Sequence, residues 1–368
     1  MGTFIDIHAI QTLPPSNPNR DGEGRPKTCT YGNTTRMRVS SQAWKKTIRD
    51  YFRQHADTSK LGSRSREFTS MVNQRLDNPV DTATLLPITK LLMKELGLPA
   101  DKQREGSTSA LQFFGERQWQ AIAETAQRAL DSDDPEQVVK DARKPLKQLL
   151  DSDTSLDVAL FGRMSASDEK GSATQYSTDA ASQFAHAISV NTIKLDSDFF
   201  TTVDDMAGTS GAGMVGETGF TSATLYRYAC VDVNLLYRNV GQDRQAVTEA
   251  LTHLLNGFAT TLPSGKVNAF AHGTLPSFVM VEIRHDRPMN LVEAFERPVD
   301  ADTIPTAVQR LLDQRESYET IFGMEDAPTF ITADLNAQPS VPDHLSDAVM
   351  PLPRLVESVT ALVDGELR

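Results

Sequence analysis

The 368-residue sequence is poor in cysteine, in net positive charge and in long apolar runs, and each shortage excludes a class of protein. Cys29 and Cys230, its two cysteines, lie far apart without Cys/His spacing, so we expect neither a disulfide framework nor a zinc site. No apolar run approaches the ~20 residues that cross a bilayer. The first residues, MGTFIDIHAI, alternate instead of forming a signal peptide. We therefore expect a cytoplasmic protein with no membrane partner and no cofactor.

Positive charge is concentrated in one segment of an acidic chain. The formal net charge is −12, yet residues 19–53 contain nine Lys and Arg against three acids, a net charge of +6. Hydrophobic residues make up 39% of the chain, enough for a packed core. Segregated positive charge indicates that a polyanion binds at one place.

The basic segment follows a predicted strand over residues 3–10. The stretch PPSNPNRDGEGRP then predicts a surface loop that carries cations. Ser40 or Ser41 can cap the helix that comes next, and its aromatic stripe includes Trp44. Gln42, Lys45 and Arg49 lie on a different face of that helix. A polyanion site and an ordinary solvated face both fit this pattern.

Residues 60–180 predict a mostly helical insertion, because helix formers dominate and acidic turns separate the segments. Within it, PEQVVKDARKPLKQLL predicts a helix with a basic side, offset in the sequence only by Asp141. A solvated face and a second polyanion surface both remain open for it. The basic side consists of Lys140, Arg143, Lys144 and Lys147.

Residues 225–285 predict a strand, a helix and a second strand. Together with the first strand and helix they give the order β-α…β-α-β. This order predicts an α+β, ferredoxin-like (RRM-like) fold interrupted by insertions. The sequence of residues 286–368 is mixed and interrupted by prolines, and its pattern predicts little about their structure.

No catalytic set stands out. Gly211, Gly213 and Gly216 form a G-x-G-x-x-G pattern, but a strand follows it, so we expect a hairpin tip rather than a dinucleotide site. Asp204 and Asp205 could bind Mg²⁺, although neighbours on a strand point to opposite faces. Phe199 and Phe200 at the hairpin root place one ring on each face, and a ring stacked on a base contributes about 1–3 kcal/mol.

Several motifs resemble one known family in the same order. NRDGEGRPK, RMRVSSQAWKKTIR, ALFGRMSASD, FAHAISV and DFFTTVDD…GETGFTSATLYRYACVDVN are similar to the CasC family, the backbone subunit of the type I-E CRISPR surveillance complex, Cascade. The likeness covers the first 55 residues and about 158–235. Trp44 and Phe199 depart from the family pattern.

The resemblance implies a hand-like architecture. A palm would comprise 1–59, 181–195 and 225–368, the last with the C-terminal region. Helical fingers would comprise 60–180, and a hairpin thumb 196–224. Copies would join head to tail along a CRISPR guide RNA, and each thumb would displace a nucleotide at regular intervals.

The resemblance also implies site residues. In the palm, the guide RNA would contact Asn19, Arg20, Lys27, Ser40, Gln42, Lys45, Lys46 and Arg49. Met164 would pack against bases, and Phe200, Thr201 and Val203 would belong to the thumb. Target DNA would contact Lys140, Arg143, Lys144 and Lys147.

The expected function is a non-catalytic subunit whose partners are guide RNA, target DNA, further copies of itself, the guide-processing endonuclease and the large and small Cascade subunits. Two alternatives remain. One is a backbone subunit that cleaves target RNA with Mg²⁺ at Asp204 or Asp205. The other is a stand-alone single-strand RNA-binding protein without a filament.

Overall fold

The computed structural model describes residues 2–152, 154–164, 176–203, 212–324 and 326–367. The chain forms two compact units. The sheet unit comprises Met1–Tyr51, Gln183–Asp232 and Thr252–Arg368, and the helical unit comprises Phe52–Ser182 and Val233–Leu251. The α+β class predicted from the sequence is confirmed at this level.

Groups of strands and groups of helices follow one another along the chain. The strands are β1 (Phe4–Ser16), β2 (Thr28–Tyr31), β3 (Thr34–Val39), β4 (Gly62–Ser65), β5 (Gln112–Gly115), β6 (Ser182–Phe184), β7 (Ala187–Ser189), β8 (Asp196–Val203), β9 (Ala212–Asp232), β10 (Phe278–Arg284) and β11 (Thr329–Ala333). The helices are α1 (Ser41–His55), α2 (Phe68–Asn73), α3 (Thr82–Leu96), α4 (Glu116–Leu130), α5 (Pro135–Asp151), α6 (Leu156–Phe161), α7 (Val233–Asn239), α8 (Arg244–Thr260), α9 (Val267–Phe270), α10 (Thr303–Phe322) and α11 (Leu352–Glu366).

The sheet unit is built on one antiparallel sheet with the strand order β11-β10-β1-β9-β7-β3-β2. Strands β6 and β8 also pair with β9. In chain order, α1 lies between β1 and β7, and α8 lies between β9 and β10. The four central strands β10-β1-β9-β7 thus follow a β-α-β-β-α-β connection, with the first strand inside the sheet.

Strand β1 is longer than predicted. It continues to Ser16 through Pro14 and Pro15, where the sequence pattern predicted that the loop would begin. Its pairing with β9 shifts register between Leu13 and Ser16. Proline lacks an N–H donor and is tolerated where a ladder is irregular, which explains why the strand survives both prolines.

The helical unit contains a two-stranded sheet, β4–β5, and helices packed around a buried tryptophan. Trp119 has no exposed surface, and its ring centroid lies 5.6 Å from that of Phe68 and 5.2 Å from that of Phe114. The segment Val233–Leu251 also belongs to this unit. Asn239 in α7 donates hydrogen bonds to the Ala159 carbonyl oxygen at 3.0 Å and to that of Asp179 at 2.8 Å, which ties the segment there.

A buried ionic group joins the C-terminal region to the sheet. Arg315 in α10 donates from Nε to Glu282 Oε1 at 2.7 Å. His8 Nε2 lies 3.6 Å from Glu282 Oε2, and neither side chain is exposed. Burial alone would raise the pKa of the Glu282 carboxyl, but the interactions with His8 and then Arg315 outweigh burial and lower that pKa to about 2. Residues 286–368 therefore include a helix that is anchored to the sheet by charge.

Candidate nucleic-acid interface

The start of α1 is joined to the preceding basic loop. Ser40 caps the helix, since its Oγ accepts a hydrogen bond from the Ala43 N–H at 3.4 Å. Asn19 Oδ1 accepts from the Ser40 N–H, and the Asn19 carbonyl oxygen accepts from the Lys27 N–H, both at 2.9 Å. The first turn of α1 contains no acidic residue. The partially positive end of the helix therefore adjoins a loop that carries cations.

The opposite side of α1 is fixed by a stack of aromatic rings on a buried arginine. The Arg227 guanidinium lies 3.8 Å from the Trp44 ring centroid and 4.3 Å from that of Phe258. It also donates to Gln11 Oε1 at 2.6 Å and to the Phe258 carbonyl oxygen at 2.5 Å. Burial lowers the pKa of Arg227 to about 9, so the group is still charged at neutral pH. This stack holds α1 against the sheet.

Four of the predicted RNA-binding cations lie on the loop and on α1, and we call them the loop–helix cluster. Arg20 is exposed, and Lys27, Lys45 and Arg49 are half-buried. The Lys45 Nζ lies 5.5 Å from the Phe184 ring centroid, and burial lowers the pKa of Lys45. Within the described part of the chain, Arg20, Lys27 and Lys45 form no ion pair. The cluster consists of Arg20, Lys27, Lys45 and Arg49.

Two further predicted contacts on α1 differ from each other. Gln42 is exposed in the first turn. Lys46 is also exposed, but its Nζ forms an ion pair with Asp50 one turn later, with 2.5 Å between Nζ and Oδ2. An anion that binds Lys46 must therefore compete with a carboxylate.

The charge count made from the sequence includes Arg36 in the basic surface, but the structure places this residue in the interior. Its side chain is fully buried and acts as a structural clamp. The guanidinium donates six hydrogen bonds of 2.7–3.2 Å. The acceptors are the carbonyl oxygens of Tyr31, Ser189, Val190, Phe295 and Glu296 and the hydroxyl of Thr34.

The hairpin formed by β8 and β9 separates its two aromatic rings. Phe200 pairs with Gly216, and its ring lies over that glycine where an added Cβ would meet the ring Cζ, so a larger residue there would force the ring to move. Phe199 is 68% exposed. Thr201, also exposed, pairs with Val215, which is 55% exposed. Phe199, Thr201 and Val215 therefore share one open face of the hairpin.

The remaining hairpin predictions concern its tip. Val203 pairs through its backbone with Ala212, after a shift in register at Thr202. Gly213 and Gly216 lie inside strand β9 rather than at the start of a helix. Asp204 and Asp205, the only support for metal-dependent cleavage, lie outside the described residues.

Met164 belongs to the helical unit and is 87% exposed. The preceding residue, Arg163, is buried, with four of its hydrogen bonds reaching 13 to 50 residues along the chain. These anchors fix the backbone next to the exposed methionine. The acceptors are the carbonyl oxygens of Tyr176, Phe113 and Leu150 and the side chain of Gln118.

Two cations on the basic side of α5 are paired with acids, one on α5 itself and one on α3. Lys140 Nζ lies 2.8 Å from Glu136 Oε1, and Arg143 Nη1 lies 3.5 Å from Glu95 Oε2. Lys144 is exposed and Lys147 is half-buried. The expectation that only Asp141 offsets this face is wrong, because Glu95 comes from α3 and Glu136 lies one turn earlier on α5. We call Lys140, Arg143, Lys144 and Lys147 the α5 basic face.

Sequence reasoning missed three side chains next to the loop–helix cluster. Arg38 Nη1 lies 2.9 Å from His186 Nδ1. Phe184, two residues before His186, faces Lys45. The motif FAHAISV contains both aromatic residues but served only as a mark of resemblance. Its position beside β3 depends on strand pairing between distant segments.

Two negative observations apply to the described ranges. In residues 2–152, 154–164, 176–203, 212–324 and 326–367, no three His, Cys, Asp or Glu side chains come together as a metal site. No helix in these same ranges is both long and apolar enough to cross a membrane.

Comparisons with known proteins agree with one another. The family model described as CT1975-like protein matches residues 5–357. A chain of a "CRISPR RNA-guided surveillance complex, pre-nicking" is 30% identical, with a TM-score of 0.83 over 98% of this chain and 100% of that chain. A chain of a second "CRISPR RNA-guided surveillance complex" is 28% identical, with a TM-score of 0.73 over 98% and 99%. A search of curated proteins found no match.

These matches, together with the fold, define a Cascade-type CRISPR protein. The family model covers nearly the whole chain, so the chain belongs to the CT1975-like protein family.

Proposed function

We propose that this chain is the non-catalytic backbone subunit of a type I-E Cascade complex and that it polymerises along a CRISPR guide RNA. The observation that carries the proposal is the loop–helix cluster. Arg20, Lys27 and Lys45 have no acidic partner among the described residues, and they adjoin a helix start without acids in its first turn. The type I-E assignment rests on the motifs that resemble the CasC family.

The sheet unit would serve as the palm. Its central order β10-β1-β9-β7 with two crossover helices supports an RRM-like arrangement. The helical unit would serve as the fingers, and the β8–β9 hairpin as the thumb.

The palm would hold the guide by its phosphates. A subunit that coats guides of any sequence must bind the sugar-phosphate chain, while base pairing supplies specificity. Lys27, Lys45 and Arg49 would neutralise phosphates, and the positive end of α1 would add to their attraction. The Asn19 side chain holds the loop against the helix start and the Ser40 side chain caps α1, so both residues would shape the site as well as line it.

The thumb would displace one guide nucleotide in each copy. The exposed ring of Phe199 and the neighbouring Thr201 are available to a base, while the Phe200 ring lies across Gly216. In this proposal Phe199 acts as the wedge and Phe200 stiffens the hairpin. Met164 would pack against bases from the fingers.

Target DNA would approach the α5 basic face. The phosphates would have to compete with Glu136 for Lys140 and with Glu95 for Arg143, so this surface would bind weakly by itself. Pairing with the guide would supply most of the target affinity. Other copies, the guide-processing endonuclease and the large and small Cascade subunits would complete the assembly.

Co-expression with a CRISPR transcript tests the proposal. We expect guide RNA to co-purify with several copies of the chain, and we expect nuclease protection at a regular interval. Native mass spectrometry gives the copy number, and RNA sequencing after digestion gives the interval. A one-to-one complex would instead support a stand-alone RNA-binding protein, and an RNA-free monomer would contradict both.

A second assay tests the alternative that the assembled complex cleaves target RNA. The assembled complex is incubated with complementary RNA and Mg²⁺, and we expect the RNA to stay intact. A regular ladder of fragments that disappears in Asp205→Asn, but persists in the hairpin control Asp198→Asn, would establish target cleavage instead.

A further inference from the structure

His186 lies between β6 and β7 in the sheet unit, and its ring is exposed. Its Nδ1 lies 2.9 Å from Nη1 of Arg38. Arg38 is itself held in place, because its Nε donates to the Thr28 carbonyl oxygen at 3.3 Å and its N–H donates to the Lys27 carbonyl oxygen at 2.9 Å. A histidine is therefore attached to the strand that adjoins the loop–helix cluster.

The contact determines which ring nitrogen of His186 carries the proton. A guanidinium has donors only, so Nδ1 must accept the hydrogen bond. Burial, and then the charges of Arg38 and Lys27, lower the pKa of His186, so the ring is neutral at pH 7. A neutral ring that accepts at Nδ1 carries its proton on Nε2. The Nε2–H is thus a donor that points away from Arg38.

This donor stands among cations that already adjoin the site. Lys27 and Arg38 are the charged groups that act on His186, and Phe184 faces the Lys45 ammonium. No acidic group is among the residues that perturb His186. A neutral donor on a ring that is held by one cation and lies in the electrostatic field of a second is complementary to an oxygen of a phosphodiester, which accepts hydrogen bonds and carries negative charge.

We propose that His186, oriented by Arg38, binds one phosphate of the guide RNA and so extends the loop–helix cluster onto the segment that begins at β6. His186 donates from Nε2 to a phosphate oxygen, and Arg38 orients the ring and adds charge. This inference rests on the proposed function, because it names further residues of the same RNA site.

Two matched variants test which nitrogen matters. His186→Gln keeps an amide donor near the place of Nε2, whereas His186→Asn keeps a polar group only near Nδ1. The readout is the affinity of the full chain for a synthetic guide RNA at fixed salt, with thermal unfolding as the folding control. Lys45→Ala serves as the reference for the proposed function.

We expect His186→Asn and His186→Ala to weaken binding about tenfold, the effect of one hydrogen bond to a charged group, and His186→Gln to stay within about threefold. A neutral methylphosphonate at the contacted linkage should remove the difference between His186→Asn and the unaltered chain. If His186→Asn and His186→Ala bind like the unaltered chain while Lys45→Ala binds weakly, the inference is overturned and the proposed function stands. If the unaltered chain does not bind guide RNA, the proposed function fails and the inference fails with it.

Discussion

Two regions of the molecule each contain a group of four cations, and the surroundings of the two groups differ. In the loop–helix cluster, Arg20, Lys27 and Lys45 form no ion pair with described residues. In the α5 basic face, Lys140 and Arg143 are paired with Glu136 and Glu95. Both regions are basic as stretches of sequence, but only the first leaves most of its positive charge without a nearby carboxylate.

The comparison shows that a count of charges predicts a binding surface only after burial and pairing are known. Arg36 adds to the charge of the first region in the sequence and contributes nothing to its surface, because its six hydrogen bonds hold together segments of the sheet unit. The acid that pairs with Arg143 comes from α3, 48 residues earlier in the chain. Exposed pairs of this kind stabilise a fold by about 0–1 kcal/mol, yet they still reduce the attraction for a polyanion.

The largest effect that separates buried from exposed cations should follow Arg36→Ala. We expect a loss of about 4 kcal/mol in the free energy of unfolding, because each buried acceptor left without its donor costs about 1–3 kcal/mol. Lys27→Ala, at a half-buried cation of the same region that forms no ion pair with described residues, should change stability by less than about 0.5 kcal/mol. Urea unfolding of both variants measures the difference, and equal stabilities would show that Arg36 is not a clamp.

Lowering the pH should reduce the free energy of unfolding through the buried charges of the sheet unit much more than through the exposed charges of α5. The pKa of Glu282 falls from 4.5 to about 2 on folding, so its stabilising contribution is complete above pH 4.5 and is lost as the pH falls towards 2. The loss should reach about 3 kcal/mol. Burial raises the pKa of Asp6 to about 6, so protonation of this carboxyl increases the free energy of unfolding as the pH falls from 6 to 4.

The matched variants for this experiment are Glu282→Gln and Glu136→Gln. Unfolding curves at several pH values should lose the acid-sensitive component in Glu282→Gln and keep it in Glu136→Gln, which removes only an exposed pair on α5. An unaltered acid profile in Glu282→Gln would show that another group is responsible.

Removal of two cations from the loop–helix cluster should weaken guide binding strongly. We expect Lys27→Ala combined with Lys45→Ala to raise the Kd for guide RNA about 100-fold, since each contact with a phosphate contributes at least about 1.4 kcal/mol. Filter binding at one salt concentration measures the Kd. A change of less than threefold in a folded variant would exclude these two residues from the site.

The smallest effect should come from the α5 basic face. Lys140→Ala combined with Arg143→Ala should leave the Kd for guide RNA within about twofold, because both cations already have acidic partners. The same variant in the assembled complex should weaken target DNA binding by less than about tenfold. A strong loss of guide binding would reverse the comparison between the two regions.

The sequence predicted the elements whose signals are local. The serine cap and aromatic stripe of α1 and the strand–helix–strand of β9, α8 and β10 follow from periodicity and capping chemistry. Strands β8 and β9 pair as the expected hairpin, but Gly213 and Gly216 lie within β9 instead of at a tip. It did not predict the burial of Arg36, the pairing of Glu95 or the contact between Arg38 and His186. Each of these depends on segments distant in sequence that only the folded chain brings together.

The salt dependence of guide binding tests the central claim most directly, because its slope counts the phosphates that the protein neutralises. Plots of the logarithm of the binding constant against that of the salt concentration should be compared for the unaltered chain and the two double variants. Our account predicts that the Lys27 and Lys45 variant lowers the slope by about 1.4, at roughly 0.7 per phosphate on a single strand, while the Lys140 and Arg143 variant leaves it unchanged. A slope that falls in the Lys140 and Arg143 variant but not in the Lys27 and Lys45 variant would contradict this account.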